Sequence, residues 1–253
     1  HTVSSKKTLF VQAPTGVGKT MSAIFPSVRA IGEGKGETLF YLTAKTITGT
    51  VAWEAFHTLR ENGLKFKVTA ITAKEKLCFL DSPECTPEKC PYAKGHFDRV
   101  NDAVFDLLHR CEMIERDDIL SQADRYTVCP FELCLDTASW CDNIICDYNY
   151  VFDPNVYLKR FFQEGIKGDY IFLIDEAHNM VERSRQMYSA QIYKEDFLTV
   201  KRIMKEHSRS IEKALEKCNK ILLGMKRECE NYTVYDTFGN MVFSFMRLMT
   251  LLD

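Results

Sequence analysis

The sequence has no long hydrophobic run. No apolar stretch approaches the roughly 20 residues that cross a bilayer as a helix, so an integral membrane protein is not predicted. Net charge is also small, since 33 basic and 35 acidic side chains give −2. The chain as a whole therefore lacks the basic charge that is typical of nucleic-acid binding, although one face could still be basic. Only 12 glycines and 7 prolines occur and 45% of residues are hydrophobic, which excludes disordered and fibrous proteins. The 253 residues therefore predict one large or two smaller globular domains.

Ten cysteines are too few for a disulfide scaffold in a chain of this length. Together with the P-loop described below, they predict reduced thiols or metal ligands in a cytoplasmic protein. The chain begins at His1 and stops at Leu251 and Leu252 within an apolar, helix-like pattern. We therefore expect a fragment excised from a longer protein.

Apolar runs and helical periodicities alternate along most of the chain. They predict strands at 8–12, 38–42, 66–71, 144–146 and 170–174, and helices at 19–31 and 48–62. This alternation is typical of an α/β fold with a parallel, doubly wound sheet. Between 72 and 138 the alternation of strands and helices stops, and the sequence predicts one helix at 98–116 and no clear strand. Over 194–230 the apolar positions fall three or four apart, which predicts an amphipathic helix or helix pair.

The first chemical motif is QAPTGVGKT at residues 12–20, between a predicted strand and a predicted helix. Gly16 and Gly18 allow backbone N–H groups to turn towards phosphate oxygens, Lys19 would hold the β- and γ-phosphates, and Thr20 would ligate Mg²⁺. The usual first glycine is replaced by Ala13. A glycine-rich turn without a ligand is the alternative. The predicted ATP contacts are Ala13, Pro14, Thr15, Gly16, Val17, Gly18, Lys19 and Thr20.

The second motif is DEAH at 175–178, at the carboxyl end of the apolar run YIFLI. Ligands of open α/β sheets bind at this end of the strands. Asp175 would hold Mg²⁺, Glu176 would orient and deprotonate the attacking water, and His178 would pass the state of the site to a neighbouring motif. Alternatively, DEAH is only the acid-rich start of a helix, where Asp and Glu are favourable. The presence of a P-loop in the same chain favours the interpretation as a nucleotide site.

Four cysteines are candidate metal ligands: Cys78, Cys85, Cys90 and Cys129. Three lie in a segment rich in proline and charge, and the fourth precedes Pro130 at a predicted helix start. Their spacing fits poorly with common zinc knuckles and leaves zinc and [4Fe–4S] both open. The other six are predicted to be core thiols: Cys111, Cys134, Cys141, Cys146, Cys218 and Cys229.

Four segments in order carry a family resemblance: APTGVGKT, KLCFLDSPEC with KCPYAKG, CPFELCLDTASWCDNIICDYNYVFDP, and YIFLIDEAHNMVE. The chain resembles the XPD/DinG group of iron–sulfur-containing superfamily 2 DNA helicases, its bacterial DinG-like branch in particular. The resemblance implies a RecA-like P-loop NTPase domain at 1–71 and 144–185. It further implies an iron–sulfur insertion at 72–143, with a [4Fe–4S] cluster on the four candidate cysteines, and a truncated helical Arch domain at 186–253.

The resemblance also implies ATP-driven, Mg²⁺-dependent 5′→3′ translocation on single-stranded DNA, with unwinding at duplex junctions. Such a channel needs cations along phosphates and aromatic rings under bases. The candidate DNA contacts are Lys45, Lys74, Lys76, Tyr92, Lys94 and Tyr150, each of which is equally compatible with an ordinary solvated or packed side chain.

Two other functions remain open at this point. One is a metal- or redox-sensing nucleotide-binding module without unwinding activity. The other is an ordinary P-loop ATPase or kinase with a structural zinc insertion. No second RecA-like half and no glutamine motif before the P-loop is recognised in the sequence. We therefore expect the 253 residues alone not to unwind DNA.

Overall fold

The computed structural model describes residues 2–14, 16–44, 46–81 and 84–252, without the side chains of 46–48. It divides into two compact units, His1–Tyr188 and Ser189–Asp253. Within the described residues, the strands are β1 (Thr38–Thr43), β2 (Val68–Ala70), β3 (Met113–Ile114), β4 (Asn143–Asp147) and β5 (Tyr170–Ile174). The helices of the first unit are α1 (Lys19–Gly32), α2 (Thr46–Glu61), α3 (Lys74–Leu77), α4 (His96–Arg110), α5 (Arg116–Tyr126), α6 (Pro130–Ala138), α7 (Asn149–Phe152), α8 (Lys159–Phe162) and α9 (Met180–Met187).

The five strands form one sheet in the order β3-β2-β4-β1-β5, and every pairing is parallel. Parallel strands are buried on both faces, so they read as continuous apolar runs rather than alternating ones. In β1, Leu39, Phe40 and Leu42 are all fully buried. The predicted α/β fold with a parallel sheet is confirmed.

Side chains of β1 alternate between two separate cores. Phe40 and Leu42 pack with α4, α5 and α6 on one face of the sheet. Leu39 and Tyr41 pack with α1 and α2 on the other face, beside residues such as Ile24. The period of two in a strand therefore sends the Tyr41 phenol towards α1 and the P-loop.

The predicted strand at 8–12 is wrong: the described structure has no strand there. Leu9, Phe10 and Val11 are 64%, 87% and 73% exposed. An apolar run becomes a strand only where a neighbouring strand satisfies its backbone groups. β5 is the last strand on this side of the sheet and pairs with β1, while residues 8–12 pair with no strand that the structure describes.

The absence of strands predicted for 72–138 is also wrong. The predicted helix at 98–116 is shorter, ending at Arg110, and is followed by β3, which pairs with β2 and extends the sheet. Two residues are too few to produce a periodicity. The next helix starts with a reciprocal cap between Glu115 and Asp118, a variant in which glutamate replaces the usual serine or threonine.

The second unit consists of α10 (Lys194–Met204), α11 (Arg209–Arg227) and α12 (Gly239–Leu252) in its described part. The helix pair expected over 194–230 is present as α10 and α11. The break comes at Ser208, whose hydroxyl accepts the Ile211 N–H and caps α11. Leu215, Cys218 and Leu248 are buried at the centre of this unit. Across both units, none of the described helices combines the length and the apolar character needed to span a bilayer.

Candidate nucleotide-binding site

The P-loop turn depends on two glycines with positive φ. Gly16 has φ 81° and Gly18 has φ 80°, a region that other residues adopt only with strain. No atom lies within 4 Å of the place where a Cβ of either glycine would stand, so the described backbone leaves space for a ligand there. Thr15, a predicted contact, lies outside the described residues.

The N-terminus of α1 follows this turn directly. Gly18 precedes the first helical residue and has no side chain to cap the free N–H groups. The first turn carries no acidic residue. Free N–H groups and the positive end of the helix dipole favour an anion at this position. Lys19 and Thr20 are the first two residues of the helix, which places an ammonium and a hydroxyl at the same end.

The DEAH turn follows β5 and lies next to this helix end. Lys19 Nζ is 3.7 Å from Glu176 Oε1, and both side chains are a little over one third exposed. The His178 ring is exposed, with Nδ1 3.4 Å from Glu176 Oε2. The structure therefore brings the two sequence motifs together around Glu176.

Glu176 adopts a left-handed backbone conformation, with φ 49° and ψ 45°. For a residue other than glycine this costs about 1–3 kcal/mol. The Asp175 N–H donates to Leu42 O at 3.0 Å, which continues the sheet pairing by one residue. The Glu176 N–H donates to Asp175 Oδ1 at 3.0 Å. These two bonds hold the turn in which the Glu176 carboxylate is presented to Lys19.

Tyr148 supports the same turn from inside the protein, and the sequence analysis missed it. Its ring is completely buried, and its hydroxyl donates to the backbone carbonyls of Asp175 and, at 3.2 Å, Glu176. Burial, reinforced by the nearby Asp175 and Glu176 carboxylates, raises the pKa of Tyr148 to about 12. The phenol therefore remains a proton donor throughout the physiological pH range.

A second buried phenol, Tyr41, joins the P-loop helix to the DEAH turn. Its hydroxyl lies close enough to the Thr20 and Asp175 side chains to interact with both, and these are the two residues predicted to ligate Mg²⁺. Burial raises the pKa of Tyr41 to about 12, with Asp175 adding to the rise. The alternation along β1 is the sequence signal that could have identified Tyr41, since it places this residue on the face covered by α1.

We expect Tyr148→Phe to destabilise the DEAH turn because two buried carbonyls lose their donor, at about 1–3 kcal/mol of unfolding free energy. ATP hydrolysis should fall more than nucleotide affinity, since the phosphate-binding turn is untouched. Chemical denaturation and steady-state turnover measure the two effects. Tyr170→Phe is the matched control, because that hydroxyl donates to Phe161 O at 3.5 Å, away from the turn. Equal losses in both variants would contradict the assignment.

The four candidate cysteines lie in one neighbourhood. Cys90 is buried, Cys78 and Cys129 are partly buried, and Cys85 is exposed. Lys74, also predicted to contact DNA, lies beside three of them: its ammonium interacts with Cys85, Cys129 and Cys78, which raises the Lys74 pKa. Cys90 in turn is close enough to Cys129 to raise its pKa further.

Cys129 occupies the N-cap position of α6, with Pro130 as the first helical residue. Burial raises the pKa of the Cys129 thiol, while the backbone N–H groups of Glu132 and Phe131 oppose that rise. The Cys129 N–H donates to His96 Nδ1 at 3.2 Å. His96 is only 4% exposed, and its Nε2 has no hydrogen-bond partner among the described residues.

Helix α6 is tied to the sheet domain by Arg160, which lies in α8. Its guanidinium bonds to Glu132 at 2.7 Å and to Asp136. The next residue, Phe161, packs edge-on against Phe40 of β1 at 5.2 Å between ring centroids. Charge-assisted bonds and aromatic packing thus connect the cysteine-bearing helix to the strands that carry the nucleotide site.

The described residues contain no group of three or more His, Cys, Asp or Glu side chains placed to hold a metal ion. Cys134 is buried, with its thiol 3.5 Å from Ala70 O, and burial raises its pKa to about 11. Tyr92 packs against Phe79 at 4.8 Å between ring centroids. Tyr150 packs partly against the core, and Lys45 is outside the described residues.

Known proteins resemble this chain in sequence. A family model described as DEAD_2 matches residues 59–197. The general transcription and DNA repair factor IIH helicase subunit XPD/RAD3 of Saccharomyces cerevisiae is 32% identical over 114 residues, covering 45% of this chain and 14% of that protein. The Fanconi anemia group J protein homolog of Gallus gallus is 28% identical over 76 residues, covering 30% of this chain and 6% of that protein. The chain therefore spans a small part of these curated relatives.

Solved structures resemble the fold. An XPD helicase structure aligns with a TM-score of 0.59 at 15% identity, covering 99% of this chain and 48% of the other. A truncated XPD structure aligns with a TM-score of 0.55 at 16% identity, covering 95% and 70%. The family match extends over more than half of the chain, from α2 through the DEAH turn into α10. The chain belongs to the DEAD_2 family, within the XPD/DinG-like group of superfamily 2 helicases.

Proposed function

We propose that this chain carries the first motor half of an ATP-dependent DNA helicase that moves 5′→3′ along single-stranded DNA. The observation that supports it most strongly is the 3.7 Å approach of Lys19 to Glu176, with the P-loop turn and the DEAH turn at one edge of a parallel sheet. Membership of a helicase family supports the same function. Placement in the bacterial DinG-like branch and in the cytoplasm stays a prediction.

In the proposed mechanism, the P-loop backbone and the α1 N-terminus bind the phosphates, and Lys19 neutralises charge on the β- and γ-phosphates. Thr20 and Asp175 are the proposed Mg²⁺ ligands, and Tyr41 positions both of them. Glu176 orients the attacking water and accepts its proton, and the neighbouring His178 transmits the state of the site. Most of the rate enhancement comes from positioning and charge neutralisation.

We further propose that Cys78, Cys85, Cys90 and Cys129 hold a [4Fe–4S] cluster, within an insertion at 72–143. Two features of these residues fit an anionic, thiolate-ligated group: the Lys74 ammonium beside three of the thiols, and the α6 N-terminus at the fourth. The cluster would stabilise the fold of this segment, or its charge would change the segment's electrostatic interactions.

The remaining assignments are proposals of the same kind. RecA-like domain parts at 1–71 and 144–185 and an Arch domain at 186–253 follow the family resemblance. The proposed contacts for single-stranded DNA remain Lys45, Lys74, Lys76, Tyr92, Lys94 and Tyr150. Unwinding at duplex junctions is proposed to require a second motor half beyond these 253 residues, so the chain alone is expected to bind nucleotide without unwinding.

The test is ATP hydrolysis by the protein with its complete motor, measured with and without single-stranded DNA. We expect DNA to stimulate hydrolysis, and Lys19→Ala to abolish it without changing the iron content. Lys35→Ala is the matched control, because this lysine pairs with Glu33 in a surface turn. Hydrolysis that ignores DNA would contradict the helicase function and favour a nucleotide-binding sensor. Turnover retained in Lys19→Ala would contradict the P-loop assignment.

A further inference from the structure

The second unit contains a basic groove between α11 and α12. Its cavity volume is about 470 Å³. Four cationic side chains line it: Arg209, Lys213 and Lys217 from α11 and Arg247 from α12. No carboxylate is among the residues that line it. The near-zero net charge of the whole chain conceals this concentration of one sign.

The spacing of the α11 cations puts them in a row. Arg209, Lys213 and Lys217 are successive i, i+4 positions, so they follow one face of the helix at intervals of about 6 Å. Glu216 on the same helix pairs instead with Lys201 at 3.3 Å and with Lys220 at 3.1 Å. Neither of these two lysines lines the groove, so the Glu216 carboxylate is engaged by cations outside it.

The groove cations have no carboxylate partner in the part of the chain that the structure describes, since no ion pair within 4 Å there includes any of the four. Like charges held side by side without counter-charges are unfavourable unless an anion binds between them. Arginine in addition offers a planar fork that matches phosphate oxygens. Ala214 and Leu251 give the same groove an apolar part.

We propose that this groove binds the phosphate backbone of single-stranded nucleic acid. The inference rests on the proposed helicase function and identifies a contact surface for its substrate. The row of cations follows successive phosphates, and the apolar part contacts sugar or base. The cavity volume of about 470 Å³ is within the range of small-ligand sites, and we expect the groove to contact one strand.

The experiment measures binding of a fluorescent oligothymidylate to the 253-residue chain by anisotropy over a range of salt concentrations. The test variant is Lys213→Gln with Lys217→Gln. Single-strand binding has a salt slope of about −0.7 per phosphate contact, so losing two contacts should make the slope shallower by about 1.4. At about 0.1 M salt this corresponds to about 25-fold weaker binding.

The matched control is Lys201→Gln with Lys220→Gln, which removes the same charge from two lysines that pair with Glu216 and do not line the groove. Its salt slope should equal that of the parent chain. Equal slopes in both double variants, or no oligothymidylate binding at all, would overturn the inference. The inference would also be overturned if a duplex bound with the same affinity and the same loss in the test variant. Competition by inorganic tripolyphosphate at the same phosphate concentration would overturn it as well. Thermal melting of both variants verifies that neither change unfolds the helices.

Mg-ATP binding by the same preparations separates this inference from the proposed function. If the chain binds Mg-ATP through Lys19 but the groove variant leaves oligothymidylate binding unchanged, the proposed function stands and the groove inference is wrong. If the groove variant weakens oligothymidylate binding but Mg-ATP binding does not depend on Lys19, the groove inference stands and the proposed motor function is wrong.

Discussion

Replacing Glu176 with glutamine is expected to lower ATP turnover by about 10²–10⁴-fold, the usual contribution of a general base. Mg-ATP should still bind, because the P-loop turn and Lys19 are unchanged and glutamine keeps the shape of the side chain. Turnover in the protein with its complete motor, measured together with nucleotide affinity, gives the two quantities. A large loss of turnover with unchanged nucleotide affinity is characteristic of a group that acts on the attacking water.

Glu182→Gln is the matched control for this change. Glu182 lies on α9, six residues further along, and its carboxylate is exposed and pairs with Arg185 at 3.6 Å. Surface pairs of this kind contribute little, so its turnover should remain that of the parent. If Glu176→Gln retained turnover within about tenfold of the parent, below the contribution of a general base, the proposed role of its carboxylate would be wrong.

Replacing any one of the four candidate cysteines is expected to remove most of the iron from anaerobically purified protein. Cys129→Ser is the most informative of these changes, since it removes the thiol at the α6 N-terminus while the Cys129 N–H can still donate to His96. Iron, acid-labile sulfide and the visible absorption of the protein measure the loss. The segment that the cluster braces should also unfold more readily, because metal binding and folding are linked.

Cys134→Ala separates cluster loss from a packing defect. Cys134 is a buried residue of the same helix, five positions after Cys129, and its thiol points to Ala70 O. Its replacement should reduce stability slightly and leave the iron content unchanged. A colourless parent protein with stoichiometric zinc would contradict the iron–sulfur proposal, as would equal iron loss in Cys134→Ala.

The two buried phenols explain how a strained turn can present the carboxylate that we propose to be catalytic. The left-handed backbone at Glu176 costs free energy that neighbouring structure must offset. Tyr148 donates hydrogen bonds to both carbonyls of the turn, and the Tyr41 hydroxyl interacts with the side chains of the two proposed Mg²⁺ ligands. Because the pKa of each is raised to about 12, neither phenol ionises near neutral pH, and the site geometry should not change with pH on their account.

Local patterns were enough to predict most of the sheet and both nucleotide motifs. The strands at 38–42, 144–146 and 170–174 are apolar runs, buried in the first two and partly exposed in the third. The helix from Lys19 follows a turn in which Gly16 and Gly18 have positive φ angles, which glycine adopts without strain. The same reasoning failed at 8–12, where an equally apolar run is exposed. Strand formation there depends on a neighbouring strand, which lies outside the segment itself.

The sequence by itself determined the fold class, the phosphate-binding turn and the identity of the acidic motif, because backbone freedom, periodicity and side-chain chemistry act over a few residues. Only the tertiary structure decided which distant groups meet. It placed Tyr41 and Tyr148 at the DEAH turn, Lys74 beside the thiols and Arg247 opposite the α11 lysines. These contacts join residues far apart along the chain, and they form only when strands and helices pack, which is why no local pattern predicts them.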